Sequence, residues 1–311
     1  MNGIDFVTRG RAVTLAAAAF LLVPGAVQAM PFQANGIKIG EVDQDSVIVW
    51  TRLTSVETGN YQLVSGAAPG MAGEVRVVLW PMENPGAVSN TPWVAVDGAA
   101  DHTRQIVLNG LVANTTYDLR CESRPVGGGA VSSSVDGTFR TAPEDDHILP
   151  VVCTVVTGQG LDTVDSGANG HRAYLEMLNL DPDFFVHTGD VLYYDKNVGE
   201  LSQSLSQARE RWHRMFSLGY NLDFFRQVPT YFIKDDHDTL KDDCWPGQSY
   251  GALTFAQGVR VFHEETPSGP VRFRTVRWGK DLQIWLSENR EFRSPNTVAD
   301  GPTKTCLLYT S

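Results

Sequence analysis

Cysteine is scarce in this chain. Four residues, Cys121, Cys153, Cys244 and Cys306, serve 311 positions. Their spacings fit neither a zinc knuckle nor a dense disulfide framework, and one structural bridge at most is expected. Basic charge is short as well: 25 Lys and Arg face 36 Asp and Glu, giving a formal net charge of −11 and a pI near 5.0. That balance excludes a nucleic-acid backbone as a general partner. A phosphate-bearing substrate would need cations supplied locally, as metal or arginine. The one long apolar run, Ala12 to Val23, is shorter than the roughly 20 residues a membrane span requires. It follows Arg9 and Arg11 and leads through Pro24-Gly25 into "AVQA", ending at Ala29. Residues 1–29 therefore read as a secretory signal peptide, with Val27 and Ala29 as the small residues before the cut. Arg9-Gly10-Arg11 is not a twin-arginine pair, so general secretion to the periplasm or beyond is expected. No serine is set beside a histidine in a way that suggests a nucleophilic hydrolase.

What is present divides by periodicity. From Gly36 to Pro143 the chain reads all-β: "SVIVWTRL", "EVRVVLWP", "QIVLNGL", "TYDLRCESR" and "GTFRTAP" are short runs punctuated by Gly, Pro, Asn and Asp. Residues 33–143 are thus expected to form a fibronectin III-like sandwich, with Tyr117 as its corner tyrosine and "RPVGGGAVSSS" as a flexible hairpin loop. "TAPEDDH" is the linker. Beyond it, over 148–305, strands and helices alternate. "LPVVCTVVTG" and "DFFVHTGD" read as strands buried on both faces, "GHRAYLEMLNL" and "SQARERWHRMF" as helices, "VPTYFIKDDHD" as a third strand and "DLQIWLSENR" as a fourth. The last six residues, "CLLYTS" (306–311), resemble a translated sequencing-library adapter, and the α/β domain is expected to be incomplete.

The chemistry concentrates at strand ends, where α/β sheets place their functional groups. "TGDVLYYD" follows one strand and supplies Asp190, Tyr193 and Asp195. "KDDHDTLKDD" follows another and supplies Asp235, Asp236, His237, Asp238, Asp242 and Asp243. Carboxylates this dense repel one another. A pair of hard cations offsets that repulsion, polarises a phosphoryl group and readies water for attack at neutral pH. His237 could then protonate the leaving alkoxide.

These two motifs, preceded by a sandwich containing "DSVIVWTRL", resemble the alkaline phosphatase D (PhoD-type) family of calcineurin-like metallophosphoesterases over residues 36–305. The resemblance implies an incomplete α/β/β/α sandwich after the β domain, and a binuclear site of ferric iron and calcium. Asp190 would bridge the metals, Tyr193 would bind iron as phenolate, and Asp236 would bind the second metal. His237 would sit beside the leaving group. Arg290, in "ENREFR", matches a family arginine, although an exposed ion-pairing arginine is the competing reading. The family's first-strand cysteine is replaced by Gly158, for which Gln159 and Asp162 are weak substitutes, and its last histidine ligands are expected beyond this stretch. The implied partner is a phosphate ester and the implied state a monomer. A purple acid phosphatase-like enzyme is an alternative, although that group shows "GNHE" where this chain has "DDHD". A non-catalytic exported scaffold that has lost its metals is another. Among other residues, Cys153 and His187 read as core, and His213 as surface. His171 is read as a helix cap or a neighbour of the site.

Overall fold

The computed structural model describes residues 29–63, 66–156, 169–196, 201–302 and 304–305. Its first half is the expected β-sandwich. One layer holds β1 (Ile37–Gly40), β2 (Ser46–Arg52) and β6 (Thr103–Asn109). The other holds β3 (Glu74–Pro81), β4 (Ser89–Asn90), β5 (Val94–Ala95), β7 (Thr116–Arg124) and β8 (Ser133–Arg140). Alternation along β3 and β7 buries Val75, Val77, Leu79, Tyr117, Leu119 and Cys121 between the layers. Tyr117 stacks on Phe139, and its hydroxyl accepts a hydrogen bond from the Val112 N–H at 2.9 Å, as a corner tyrosine should. In the β7–β8 loop, Gly127, Gly128 and Gly129 all take positive φ, a conformation that a β-carbon disfavours.

The second half contributes β9 (Cys153–Val156), α1 (Arg172–Leu178), β10 (Phe184–His187), α2 (Leu205–Met215), α3 (Gly219–Phe225) and β11 (Thr230–Phe232). The short hairpin β12 (Ser249–Tyr250) and β13 (Leu253–Thr254), then α4 (Phe255–Glu265), β14 (Arg274–Trp278) and β15 (Leu282–Leu286), complete it. Its parallel strands do not form a separate sheet. β1 pairs parallel with β11 through Gly40 and Thr230, so one six-stranded sheet runs β6-β2-β1-β11-β10-β9 through both halves. Gly40 makes this junction possible: a β-carbon there would lie 2.6 Å from the Thr230 carbonyl oxygen.

Alternation then sorts side chains to two cores. Phe184, Val186 and Tyr231 join the sandwich core with Trp278 and Leu286, while Phe185 and Phe232 face helices α1–α4 with Trp212, Phe224 and Phe225. Polar ties reinforce the seam. Tyr231 Oη donates to the Val42 carbonyl at 2.6 Å, Trp50 Nε1 to Glu264 O at 2.6 Å, and Arg274 grips Glu41 with two nitrogens.

Three expectations need correction. β9 is not buried on both faces: it is the last strand of the sheet, Val155 is 56% exposed, and Cys153 is an exposed thiol, not a core one. The run "LPVVCTVV" is apolar, but only β10 pairs with it among the described residues. "DLQIWLSENR" does form a strand, yet it lies in a separate antiparallel hairpin with β14. His213 is buried, for reasons given in the Discussion. Cys121 and Cys244 are free thiols, and no disulfide occurs among the described residues. None of the helices in the described residues is long and apolar enough to cross a membrane.

Candidate metal centre

β10 and β11 are parallel neighbours, with His187 opposite Phe232, so their carboxyl ends release two loops side by side. The approach is close. A β-carbon on Gly189 would lie 2.5 Å from Asp235 N and 2.4 Å from its Cβ, and Gly189 has φ +103°. Asp190 follows in the left-handed region at φ 53°, a conformation that Asp tolerates better than most residues. The chain therefore turns sharply and presents the Asp190 carboxylate toward the loop after β11. Asp238 clamps the two loops. Fully buried, it accepts from Val191 N at 3.2 Å and from Asp235 N at 2.8 Å.

Asp190, Asp236 and His237 converge, each with a potential ligand atom within 4.8 Å of the others. Tyr193 Oη donates to Asp190 Oδ2 at 3.1 Å, and its ring centroid lies 4.4 Å from that of His237. Asp236 is oriented by backbone donors, His237 N at 2.9 Å and Asp243 N at 2.7 Å. Arg290 comes from the segment after β15. It is buried, not exposed: it bonds Asp235, donates to Cys244 O at 3.2 Å, and lies 3.7 Å from Asp236. All five singled-out residues, Asp190, Tyr193, Asp236, His237 and Arg290, thus meet in one place.

Electrostatics single out Asp190. Burial, then the neighbouring Asp235, pushes the Asp190 carboxyl above its ordinary range. Asp190 Oδ1 is buried with no hydrogen-bond donor among the described residues, and no lysine or arginine is paired with Asp190. An orphaned carboxylate oxygen beside a second carboxylate, an imidazole and a phenol is a donor set that fits a hard or borderline cation. Burial alone would lower His237. The hydrogen bond to Asp195 and the surrounding carboxylates outweigh it, so its pKa rises.

Two residues with clear roles had not been singled out. Asp195 Oδ1 lies 2.6 Å from His237 Nδ1 and fixes the ring, and Asp238 is the loop clamp. Both stand inside the quoted motifs, so proximity in sequence was the available signal; their targets are set by tertiary contacts. His171 occupies the N-cap position of α1 without a side-chain cap hydrogen bond. Gly158, Gln159 and Asp162 lie outside the described residues. A cavity of about 750 Å³ between β6 and α4, lined by Gln105, Phe255, Val259 and His263, contains none of the convergent residues.

A β-sandwich sharing its sheet with an α/β layer, and acidic groups meeting past two parallel strand ends, define a metallophosphoesterase-type scaffold. Residues 17–143 match the PhoD-like phosphatase N-terminal domain and residues 153–307 the PhoD-like phosphatase domain. The chain belongs to the PhoD-like phosphatase family. The structure of PhoD is similar over 89% of this chain and 55% of that one, with a TM-score of 0.68 and 19% identity. Purple acid phosphatase PPD1 from yellow lupin (Lupinus luteus) is similar over 82% of this chain and 44% of that one, with a TM-score of 0.54 and 14% identity. At these identities the likeness concerns the fold. The chain spans about half the length of these structures. No curated protein sequence matches it.

Proposed function

We propose that this chain is an exported metal-dependent phosphoesterase that hydrolyses phosphomonoesters or phosphodiesters with an activated water. The observation that carries the reading is the buried Asp190 oxygen left without a donor among residues that each suit a cation. Asp190, Tyr193 and Asp236 would hold the metal pair, with ferric iron and calcium favoured by the family resemblance. When bound, the metals supply Lewis acidity toward the phosphoryl oxygens and a nucleophilic water at neutral pH.

The chain's own groups do the rest. Asp195 holds His237 Nδ1 and turns Nε2 toward the carboxylate cluster, from which Nε2 can deliver a proton to the departing oxygen. Burial fixes the Arg290 guanidinium beside Asp235 and Asp236, where a phosphoryl oxygen can share its charge. Asp238 and Gly189 keep the two loops in register, which fixes the distance between Asp190 and Asp236. The leader at residues 1–29 supports export by general secretion.

The test uses Asp190→Asn and Asp236→Asn with metal analysis. Asn keeps shape and tolerates φ 53° at position 190, so folding should survive while stoichiometric metal and turnover of p-nitrophenyl phosphate and its bis-ester are lost. Wild-type metal content and turnover in both variants would remove the assignment.

A further inference from the structure

The proposed reaction leaves one member of the acidic cluster without a task. Asp235 is held by Arg290, Asp243 by Arg293 at 2.8 Å, and Asp236 lies 3.7 Å from Arg290. Asp238 is buried on two backbone N–H groups. Asp242 differs. Its side chain is 71% exposed, and among the described residues it forms no ion pair with lysine or arginine. Its Oδ1 stands 3.6 Å from His237 Nε2, the ring nitrogen not engaged by Asp195. The placement is built in: Asp195 Oδ1 meets His237 Nδ1 at 2.6 Å while Asp195 Oδ2 accepts from Asp242 N at 2.8 Å. One carboxylate therefore positions both the imidazole and the residue that flanks its outer nitrogen.

We propose that Asp242 is a specificity-determining residue. It acts as a charge filter on the leaving-group side, favouring phosphate esters whose departing alcohol is neutral or cationic over those whose departing alcohol carries an anion. The inference rests on His237 being the group that faces the leaving oxygen. A leaving group protonated by Nε2 must pass beside Asp242, and a second anion there meets a carboxylate whose cationic neighbour, His237, gives up its charge with the transferred proton. At a separation of about 5 Å in water-like surroundings, one unit charge changes selectivity by about three- to five-fold. Added salt should shrink the effect, because the Debye length falls from about 10 Å at 0.1 M to about 3 Å at 1 M. The overall charge of −11 contributes a background preference of the same sign, so a neighbouring acid must serve as control.

The experiment compares kcat/KM of the metal-loaded chain for phenyl phosphates bearing para-trimethylammonio, para-hydrogen or para-carboxylate groups. Calorimetric affinities for the corresponding non-hydrolysed phenylphosphonates give a readout independent of turnover. The cation-to-anion ratio, in which ring electronics cancel between variants, spans two unit charges and should fall about ten- to twenty-five-fold in Asp242→Asn. It should change far less in Asp243→Asn, whose carboxylate lies against Arg293 and not beside His237 Nε2. An unchanged ratio in Asp242→Asn, with phenyl phosphate still hydrolysed, would overturn the filter and leave the phosphoesterase reading in place. An equal change in both variants would show a general field and overturn the role of Asp242. A wild-type chain that cleaves none of the three esters would overturn the phosphoesterase reading, and the filter with it.

Discussion

Two clusters in this molecule have nearly the same composition and opposite electrostatics. Asp190, Asp236 and His237 meet past the ends of β10 and β11; Asp101, His213 and Glu265 meet at the seam between sandwich and helices. In the second cluster the protein supplies its own cations. Arg52 contacts both Asp101 oxygens at 3.1 Å, and Asp101 is hydrogen-bonded to His213. Lys38 donates to the Glu265 backbone carbonyl at 2.6 Å while lying over the Trp50 and Phe216 rings, but burial pushes its amine well below the ordinary range, so Arg52 and His213 carry the compensation. Burial and Arg52 both disfavour a charge on His213, but its hydrogen bond to Asp101 and the Glu210 carboxylate 3.5 Å away outweigh them and raise its pKa. Burial would raise Asp101, yet His213 and Arg52 hold it far below the usual carboxylate range. In the first cluster no lysine or arginine pairs with Asp190 among the described residues, and Arg290 stands 3.7 Å from Asp236 instead. On the proposed reading, a triad of acids and imidazole is open to a cation where a buried carboxylate oxygen is left without a donor.

The largest effect should come from the cluster at Asp190. Asp190→Asn is expected to lower turnover by about three orders of magnitude, equivalent to about 4 kcal/mol of transition-state stabilisation, with the fold retained by circular dichroism. Asp101→Asn should leave metal content intact; if it abolished metal binding instead, the comparison would fail.

Next in size is the compensated cluster. Arg52→Ala leaves Asp101 buried without its guanidinium and should cost about 3–5 kcal/mol in urea denaturation. A loss below about 1 kcal/mol would mean that His213 suffices.

A metal-dependent thermal shift should then separate the two. Added metal at about 100 times its Kd stabilises by about 2.7 kcal/mol. The shift should vanish in Asp190→Asn and persist in His213→Gln.

The smallest effect is in pH dependence. His213, with its folded pKa raised, contributes stability that is fully present below about pH 6.5 and lost as pH rises through the folded value. Asp101, with its pKa depressed, contributes stability present above about pH 3.9 and lost as pH falls further. The pair should therefore give a plateau between those limits in the urea midpoint, and His213→Gln should flatten its alkaline edge.

Particular residues show how far sequence reading reaches. Strands β3 and β7 run over the quoted segments because period-two alternation and flanking Pro, Gly and Asn are local signals. Asp190, Tyr193 and Asp236 could be picked out because dense acids at strand ends are unusual in any fold. His213 could not. Its helix reads as charged, and the partners that bury it, Asp101 and Glu265, lie 112 and 52 positions away. Arg290 was ambiguous for the same reason, since its burial depends on Asp235 and Cys244.

By itself, then, the order of residues determined the two periodicities, the acidic strand ends and the leader-like start, because each depends on neighbours a few positions apart. Tertiary structure alone decided that β1 joins β11 into one sheet, that Asp195 grips His237, and which acidic triad keeps its charge open. Those outcomes turn on burial and on cations brought from distant strands, and Coulomb's law responds to separation in space, not to separation along the chain.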